Sequence, residues 1–369
     1  MLGGDPYSSG DAPTIVIFSG AVVKRAEKIP PFFSGSGIAA EVGHPFVAVA
    51  DSSLELSQSI GLAWYSGNSM FDQGDTLRQV LTPLAQQKGK NLWLVGGSAG
   101  GFAALNLAHL LPNGPSLLTW NPQTDFLQYV RESVVEYATT AFPVTRRELA
   151  GDDYKQVLRS VFSYFGRRHT VLDDLPDQGP GRLVYLQNPT DWHLASHCVP
   201  YMKSHGYTQS GPGLWRRDDD KVVWIANFAQ GHTPPERSLL VEFLKRFTST
   251  TAGLLPLIEE FDQVSLIGDD PSLRPIDLSS ASDIVERLIS FDFENGIINV
   301  KSERLPDGFG GLRWRVVIDQ DGQATTSSFL FRKWSHWKIP LDPRNSPGIL
   351  LEIQVVDGFD NIVARYDIT

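Results

Sequence analysis

The sequence predicts a parallel α/β sheet domain followed by a small all-β sandwich. Three observations lead there. From Thr14 to Ala226, short apolar runs alternate with longer helix-like stretches, the pattern of a parallel sheet covered on both faces. From Phe291 onward the texture changes to several short strand-like runs separated by Gly, Asp and Pro, as in a β-sandwich. The length, 369 residues, exceeds what one core usually needs, so two domains are expected.

In the first part, Thr14–Ser19 (TIVIFS) reads as a buried strand bounded by Gly20, and Pro45–Ala50 (PFVAVA) as a second. Asp75–Gln87 has helical spacing, with Leu77, Val80, Leu81 and Leu84 on one face. Asn91–Val95 is a third strand, Ala99–Leu111 a helix stopped by Pro112, and Ser116–Trp120 a fourth strand. Residues 123–170 break the alternation. Two amphipathic stretches, about 125–138 and 152–165, follow one another with no strand between them. They are either a cap over the site or ordinary outer-layer helices. Strands resume at Arg182–Gln187 and Val222–Ala226, and Pro234–Phe247 reads as a helix with proline near its first turn. Asp218, Asp219 and Asp220 lie between two apolar segments, so a solvated hairpin turn is preferred over a metal site.

The expected division is an α/β domain over 1–250, a linker with a helix near 280–289 over 251–290, and a β-sandwich over 291–369. The net charge is -10 and no Lys/Arg block stands out, which argues against nucleic acid and anionic membrane surfaces as partners. The one cysteine, Cys198, rules out an intramolecular disulfide and a Cys-based zinc site. The first residues lack a basic segment followed by an apolar run, and no apolar stretch is long enough to span a bilayer. A cytoplasmic setting is therefore expected, with the oligomeric state left open.

The strongest chemical signal is Gly96-Gly97-Ser98-Ala99-Gly100, followed by Gly101. It fits G-x-S-x-G, with a strand just before and a helix just after, as a nucleophile elbow requires. A phosphate loop would need a Lys or a G-x-G-x-x-G pattern, and neither is present. Ser98 needs a base, because a serine hydroxyl is a poor nucleophile until its proton is removed. His232 lies after the last apolar strand of the sheet domain and before its last helix, on the same sheet edge as Ser98. Asp191 follows the strand RLVYLQ and suits the third place, holding the base in one tautomer. Asp173, Asp174 and Asp177 are rivals that precede that strand. His193 and His197 have the i, i+4 spacing of a helical metal site, but no third ligand is evident, so no metal is expected. One oxyanion donor is the N–H of Ala99, at a helix N-terminus, and the other that of Ala21 or Val22, in the loop after the first strand.

With these residues in place, the chain resembles the α/β-hydrolase superfamily over about residues 12–250. Three segments, IFSGA, GGSAGGFAAL and WNPQTDF, are also similar to a bacterial group involved in surface glycans. That group includes capsule O-acetyltransferases and the hydrolase-like subunit of the accessory Sec export system. The resemblance implies a Ser98–Asp191–His232 triad, and acyl transfer to a sugar hydroxyl or hydrolysis of an acyl ester. The chain departs from the full pattern by starting at what would be the third strand, so the sheet is expected to be shortened at the N-terminus. The insertion at 123–170 and the hairpin at 213–226 are further departures.

The expected function is a serine esterase or O-acyltransferase that works through an acyl-serine on a small ester or glycan, with no cofactor. The competing reading is a carbohydrate-binding or assembly protein on a hydrolase scaffold, with Trp314, Trp334 and Trp337 as a sugar-stacking face or as core packing. Trp64 and Tyr65 either line the pocket or pack, and Asn121 and Gln123, at the end of a strand on the same edge, are placed where they could touch substrate.

Overall fold

The computed structural model describes residues 1–8, 12–173, 179–211, 213–264, 281–294, 297–303, 312–320, 323–330, 349–356 and 362–367. Asp174, Asp177, Trp334 and Trp337 lie outside the described residues.

The apolar runs form a nine-stranded sheet. In chain order its elements are β1 (Leu2–Gly3), β2 (Thr14–Phe18), α1 (Ser36–Val42), β3 (Phe46–Val49), α2 (Gln73–Lys88), β4 (Leu92–Gly97), α3 (Ser98–Leu110) and β5 (Ser116–Trp120). After them come α4 (Arg131–Ala141), α5 (Tyr154–Tyr164), β6 (Arg182–Gln187), α6 (Val199–Ser204), β7 (Thr208–Gly211), β8 (Leu214–Asp218), β9 (Lys221–Ile225) and α7 (Arg237–Ser249). The spatial order is β1-β3-β2-β4-β5-β6-β9-β8-β7. The six strands from β3 to β9 in that order are parallel, while β1, β8 and β7 pair antiparallel at the ends.

Each parallel strand is buried on both faces because successive side chains alternate between them. Val16, Leu94, Leu117, Tyr185 and Val223 enter one core with α2 to α6. Their neighbours Ile17, Val95, Leu118, Leu186 and Trp224 enter the other with α1 and α7. Among the described residues, the strand beyond β3 is the two-residue β1, paired antiparallel with it. The β7–β8 pair extends the opposite end, and the acidic turn after β8 is held by ordinary ion pairs: Asp218 with Lys221, Asp219 with Arg216, Asp220 with Arg182. This is the α/β-hydrolase architecture, and it is doubly wound: β3 and β4 flank β2 on opposite sides, so the strand order reverses between β2 and β4. Open α/β sheets leave a crevice at the carboxyl ends of the strands at such a point.

α4 and α5 occupy the core shared with α2 and α3, through Tyr137, Leu158 and Phe162. No residue of 123–170 lines the cavity at Ser98, so these helices take the outer-layer role rather than that of a cap. The stretch expected to be a linker begins with a helix instead. α8 (Leu254–Val264) buries Leu254, Leu255, Ile258 and Phe261 in the core of α1 and α7, so the first core runs past residue 250. Arg182 reinforces this by donating to the carbonyls of Thr250 and Ala252.

Beyond it, α9 (Ala281–Leu288) leads into the hairpin β10 (Ile289–Glu294) and β11 (Ile297–Ser302). A second sheet holds β12 (Arg313–Gln320), β13 (Gln323–Leu330), β14 (Ile349–Val356) and β15 (Ile362–Asp367) in the order β13-β12-β14-β15. Ile298 and Val300 of the hairpin and Val316, Ile353 and Val355 of the larger sheet share one core, as in a small sandwich. Trp314 is fully buried in that core, which removes it from a sugar-stacking face.

Candidate functional site

β4 ends in Gly97, and α3 begins at Ser98, which holds φ at +55°. A side chain in the left-handed region is costly, and the close packing of small residues around the turn maintains it. Gly100 leaves no room for a side chain, since a Cβ there would lie 2.6 Å from the Phe18 carbonyl oxygen. Gly20, after β2, is less tightly confined: its Cβ would lie 3.3 Å from the Gly97 oxygen and 3.8 Å from Ser98 Cβ.

Ser98, Asp191 and His232 come together from three different strand ends. His232 Nε2 lies 2.9 Å from Ser98 Oγ, and His232 Nδ1 lies 2.7 Å from Asp191 Oδ2. A carboxylate only accepts, so Nδ1 carries the proton and Nε2 presents a lone pair to the serine hydroxyl. Asp191 is fully buried, and its other oxygen accepts the His193 N–H at 3.0 Å. Asp173 is an exposed residue before β6.

The loop carrying His232 is pinned by side chains outside the triad. Asn188 donates to the carbonyls of Gly231 and Thr233, both at 2.8 Å, and Thr190 Oγ1 accepts the Gly231 N–H at 2.8 Å. Asn121, itself at φ +42°, accepts the Asn188 N–H through Oδ1 and donates to the Thr233 carbonyl through Nδ2. Only the short polar run Asn188-Pro189-Thr190-Asp191 hinted at this work.

Gln123, expected from its position to touch substrate, touches the nucleophile itself. Its buried amide donates to Ser98 Oγ at 3.3 Å, and its Oε1 accepts the Trp64 indole N–H at 2.5 Å. Indole nitrogen donates only, so Trp64 fixes which end of the amide faces the serine. Tyr65, next in the chain, accepts the Ser19 N–H at 2.7 Å through its hydroxyl. Trp64 and Tyr65 both adopt positive φ, at 55° and 57°, and the Asp51 carboxylate accepts the Tyr65 N–H at 2.9 Å. Neither lines the cavity; one holds the partner of Ser98 and the other the loop after β2.

Of the two donors offered by that loop, Val22 gives its N–H to the Gly61 carbonyl at 2.8 Å. That leaves Ala21, which lines the cavity beside Gly20 and Ser98. The backbone N–H of Ala99 belongs to the first turn of α3, where helical N–H groups have no partner within the helix.

His193 and His197 are buried against the site. Asp191, His193 and His232 bring three potential ligand atoms within 4.8 Å of one another, two of them already joined in the Asp191–His232 hydrogen bond. His193 Nδ1 faces the Asn121 carbonyl at 3.0 Å, and His197 Nδ1 accepts the Thr124 N–H at 3.3 Å. Burial pushes the His193 pKa well down and that of His197 down to about 3, so both rings are neutral. The Cys198 thiol is fully buried and its pKa is pushed up for the same reason, which makes it a packing group rather than a nucleophile.

No protein-family model and no curated protein matches the chain. Among solved structures, the chain is similar to the capsule O-acetyltransferase of Neisseria meningitidis serogroup A, with 15% identity and a TM-score of 0.46 over 66% of this chain and 90% of that one. It is similar to an acetyl xylan esterase from Paenibacillus sp. R4, with 18% identity and a TM-score of 0.40 over 65% and 74%. A third is prolyl oligopeptidase B from Galerina marginata, with 11% identity and a TM-score of 0.39 over 65% and 32%.

Proposed function

We propose that the protein is a serine esterase or O-acyltransferase that works through an acyl-Ser98 intermediate. The observation that carries this is the continuous hydrogen-bonded line from Ser98 Oγ through His232 to buried Asp191, set at the switch point of the sheet. His232 Nε2 takes the hydroxyl proton as Ser98 Oγ bonds to the ester carbonyl carbon. The carbonyl oxygen becomes an oxyanion, with the N–H groups of Ala99 and Ala21 as its donors. Asp191 holds the imidazole tautomer and stabilises the imidazolium. The tetrahedral centre collapses with cleavage of the bond to the alcohol oxygen, which receives the proton from His232. In the second half, His232 removes a proton from water or from an acceptor alcohol. That oxygen attacks the acyl carbon, and Ser98 leaves with the proton. Water gives the acid, and an alcohol gives a new ester. Gln123 donates to Oγ of the free serine, which leaves the hydroxyl hydrogen directed to His232.

The test is turnover of p-nitrophenyl acetate and longer p-nitrophenyl esters by wild type, Ser98→Ala and His232→Ala, with covalent labelling by a fluorophosphonate. Both variants are expected to lose about 10⁴-fold or more in kcat, and labelling is expected on Ser98 alone. Added alcohols then separate hydrolysis from transfer through the new ester they form. A wild type with neither turnover nor labelling would sink the proposal.

A further inference from the structure

Beside Ser98 lies a cavity of about 490 Å³. That volume belongs with clefts that bury a drug-sized ligand, and it is far more than an acetyl group fills. Away from Ser98 and His232 its lining is chiefly carbon: Ile17 and Phe18 from β2, Ile38 from α1, Leu240 from α7, and Val23 and Pro234 from loops. The other side chains on the wall with a polar atom are Ser34, Asn121, Arg237 and Trp120, whose indole carries a single N–H on an otherwise apolar ring. Asn121 spends its amide on Asn188 and Thr233. Arg237 is paired with Glu41 at 2.8 Å and donates to the Gly37 carbonyl. A sugar held here would bury hydroxyls against carbon with few partners, at a cost an alkyl chain does not meet.

We propose that this cavity takes the acyl chain of the substrate, an aliphatic chain of about four to eight carbons, so that the substrate class is apolar acyl esters rather than acetylated sugars. This rests on the acyl-serine reading above. The acyl side is chosen because the acyl group is the part of the substrate bonded to Ser98 Oγ between the two half-reactions, and Ser98, Gly20 and Ala21 all line the cavity.

The experiment is a kcat/KM series on the full chain with p-nitrophenyl acetate, butyrate, hexanoate and octanoate, beside a series of alkyl acetates and fluorophosphonate labelling of Ser98. Each methylene buried is expected to raise kcat/KM by up to about fourfold, and hexanoate is expected to exceed acetate by about tenfold or more. Val23 lines the cavity and is 71% exposed, so Val23→Trp is expected to narrow the cavity mouth with its indole and leave the core undisturbed. It is expected to lower the hexanoate-to-acetate ratio by about fivefold. If Ser98 labels but kcat/KM falls along the acyl series, or rises with the alcohol chain instead, or the ratio ignores Val23→Trp, the acyl-chain assignment is wrong and the acyl-serine stands. If Ser98 does not label, both fall together.

Discussion

Gln123 illustrates how much a single buried amide can carry, because each of its ends has a different task. Gln123→Leu is expected to lower kcat/KM for p-nitrophenyl acetate about tenfold and to cost about 1–3 kcal/mol of stability, since it leaves the Trp64 N–H unpartnered in the core. Adding Trp64→Phe removes that orphan. The double variant should regain stability in urea unfolding but not activity, which separates positioning from folding. The buried titrating groups make a second prediction. His193 and His197 are held neutral, so below pH about 6.5 the unfolded chain binds protons that the folded chain refuses. Their contribution to stability is therefore greatest at neutral pH and is lost on acidification. Asp51 acts in the opposite sense. Burial raises its pKa from 3.8 to about 6 against bonds from the Tyr65, Ser53 and Ala63 N–H groups, so its contribution falls as pH rises through that window. Each group is worth on the order of 1 kcal/mol per pH unit. Urea midpoints between pH about 4 and 6.5 should climb in wild type, climb less in His197→Asn and climb more steeply in Asp51→Asn. The sequence made Ser98, Asp191 and His232 legible because each follows an apolar run at its C-terminal end. It marked Gln123 by its place at a strand end but could not reveal the bonds of its amide to Ser98 and Trp64, nor the roles of Asn188 and Thr190, because these partners lie far along the chain and come close only after folding.

The strand–turn–helix from β4 to α3 depends on glycines that touch backbone, not only on glycines that bend. At Gly100 the nearest atoms to an added Cβ are the carbonyl oxygens of Phe18 and Ser19, which cannot swing aside as a side chain could. Gly100→Ala is expected to destabilise by about 1–3 kcal/mol and to reduce the rate of fluorophosphonate labelling, because the push falls on the loop that carries Ala21. Gly211→Ala, where a Cβ meets nothing within 4 Å, is the comparison that should change neither. Elements were legible where one periodicity ran undisturbed. The parallel strands stood out as apolar runs, and Ser116–Trp120 and Arg182–Gln187 match the expected bounds residue for residue. α8 was hidden by its own composition. Leu254, Leu255, Ile258 and Phe261 have helical spacing, but Pro256 and the nearby Gly253 look like loop residues, although proline is compatible with a helix's first turn. β1 has only two residues, too few for any period to show.

The first core extends beyond residue 250, through α8. α8 covers Phe243 and Phe247, with Phe261 at 5.1 Å and 5.7 Å between ring centroids, and Leu255 donates its N–H to the Asp219 carbonyl in the β8–β9 turn. A chain ending after residue 264 is expected to fold cooperatively and to label at Ser98, whereas one ending after residue 250 should be destabilised by about 3 kcal/mol or more through the large side chains it uncovers. Circular dichroism melts of the two truncations decide this, and equal melts would place α8 outside the folding unit. The sandwich strands were legible from alternation and turns, while Trp314 could not be placed from sequence, because an aromatic on a short strand reads the same facing solvent or core. The far edge of the large sheet has a different consequence. Its last strand, β7, is four residues long, and Thr208, Gln209 and Ser210 are exposed along it. A wide parallel sheet ending in an apolar strand would invite a neighbouring molecule to add its own backbone. Here the invitation is withdrawn by polarity and brevity, so concentrated solutions of the folded protein should resist growing into fibrils from that side.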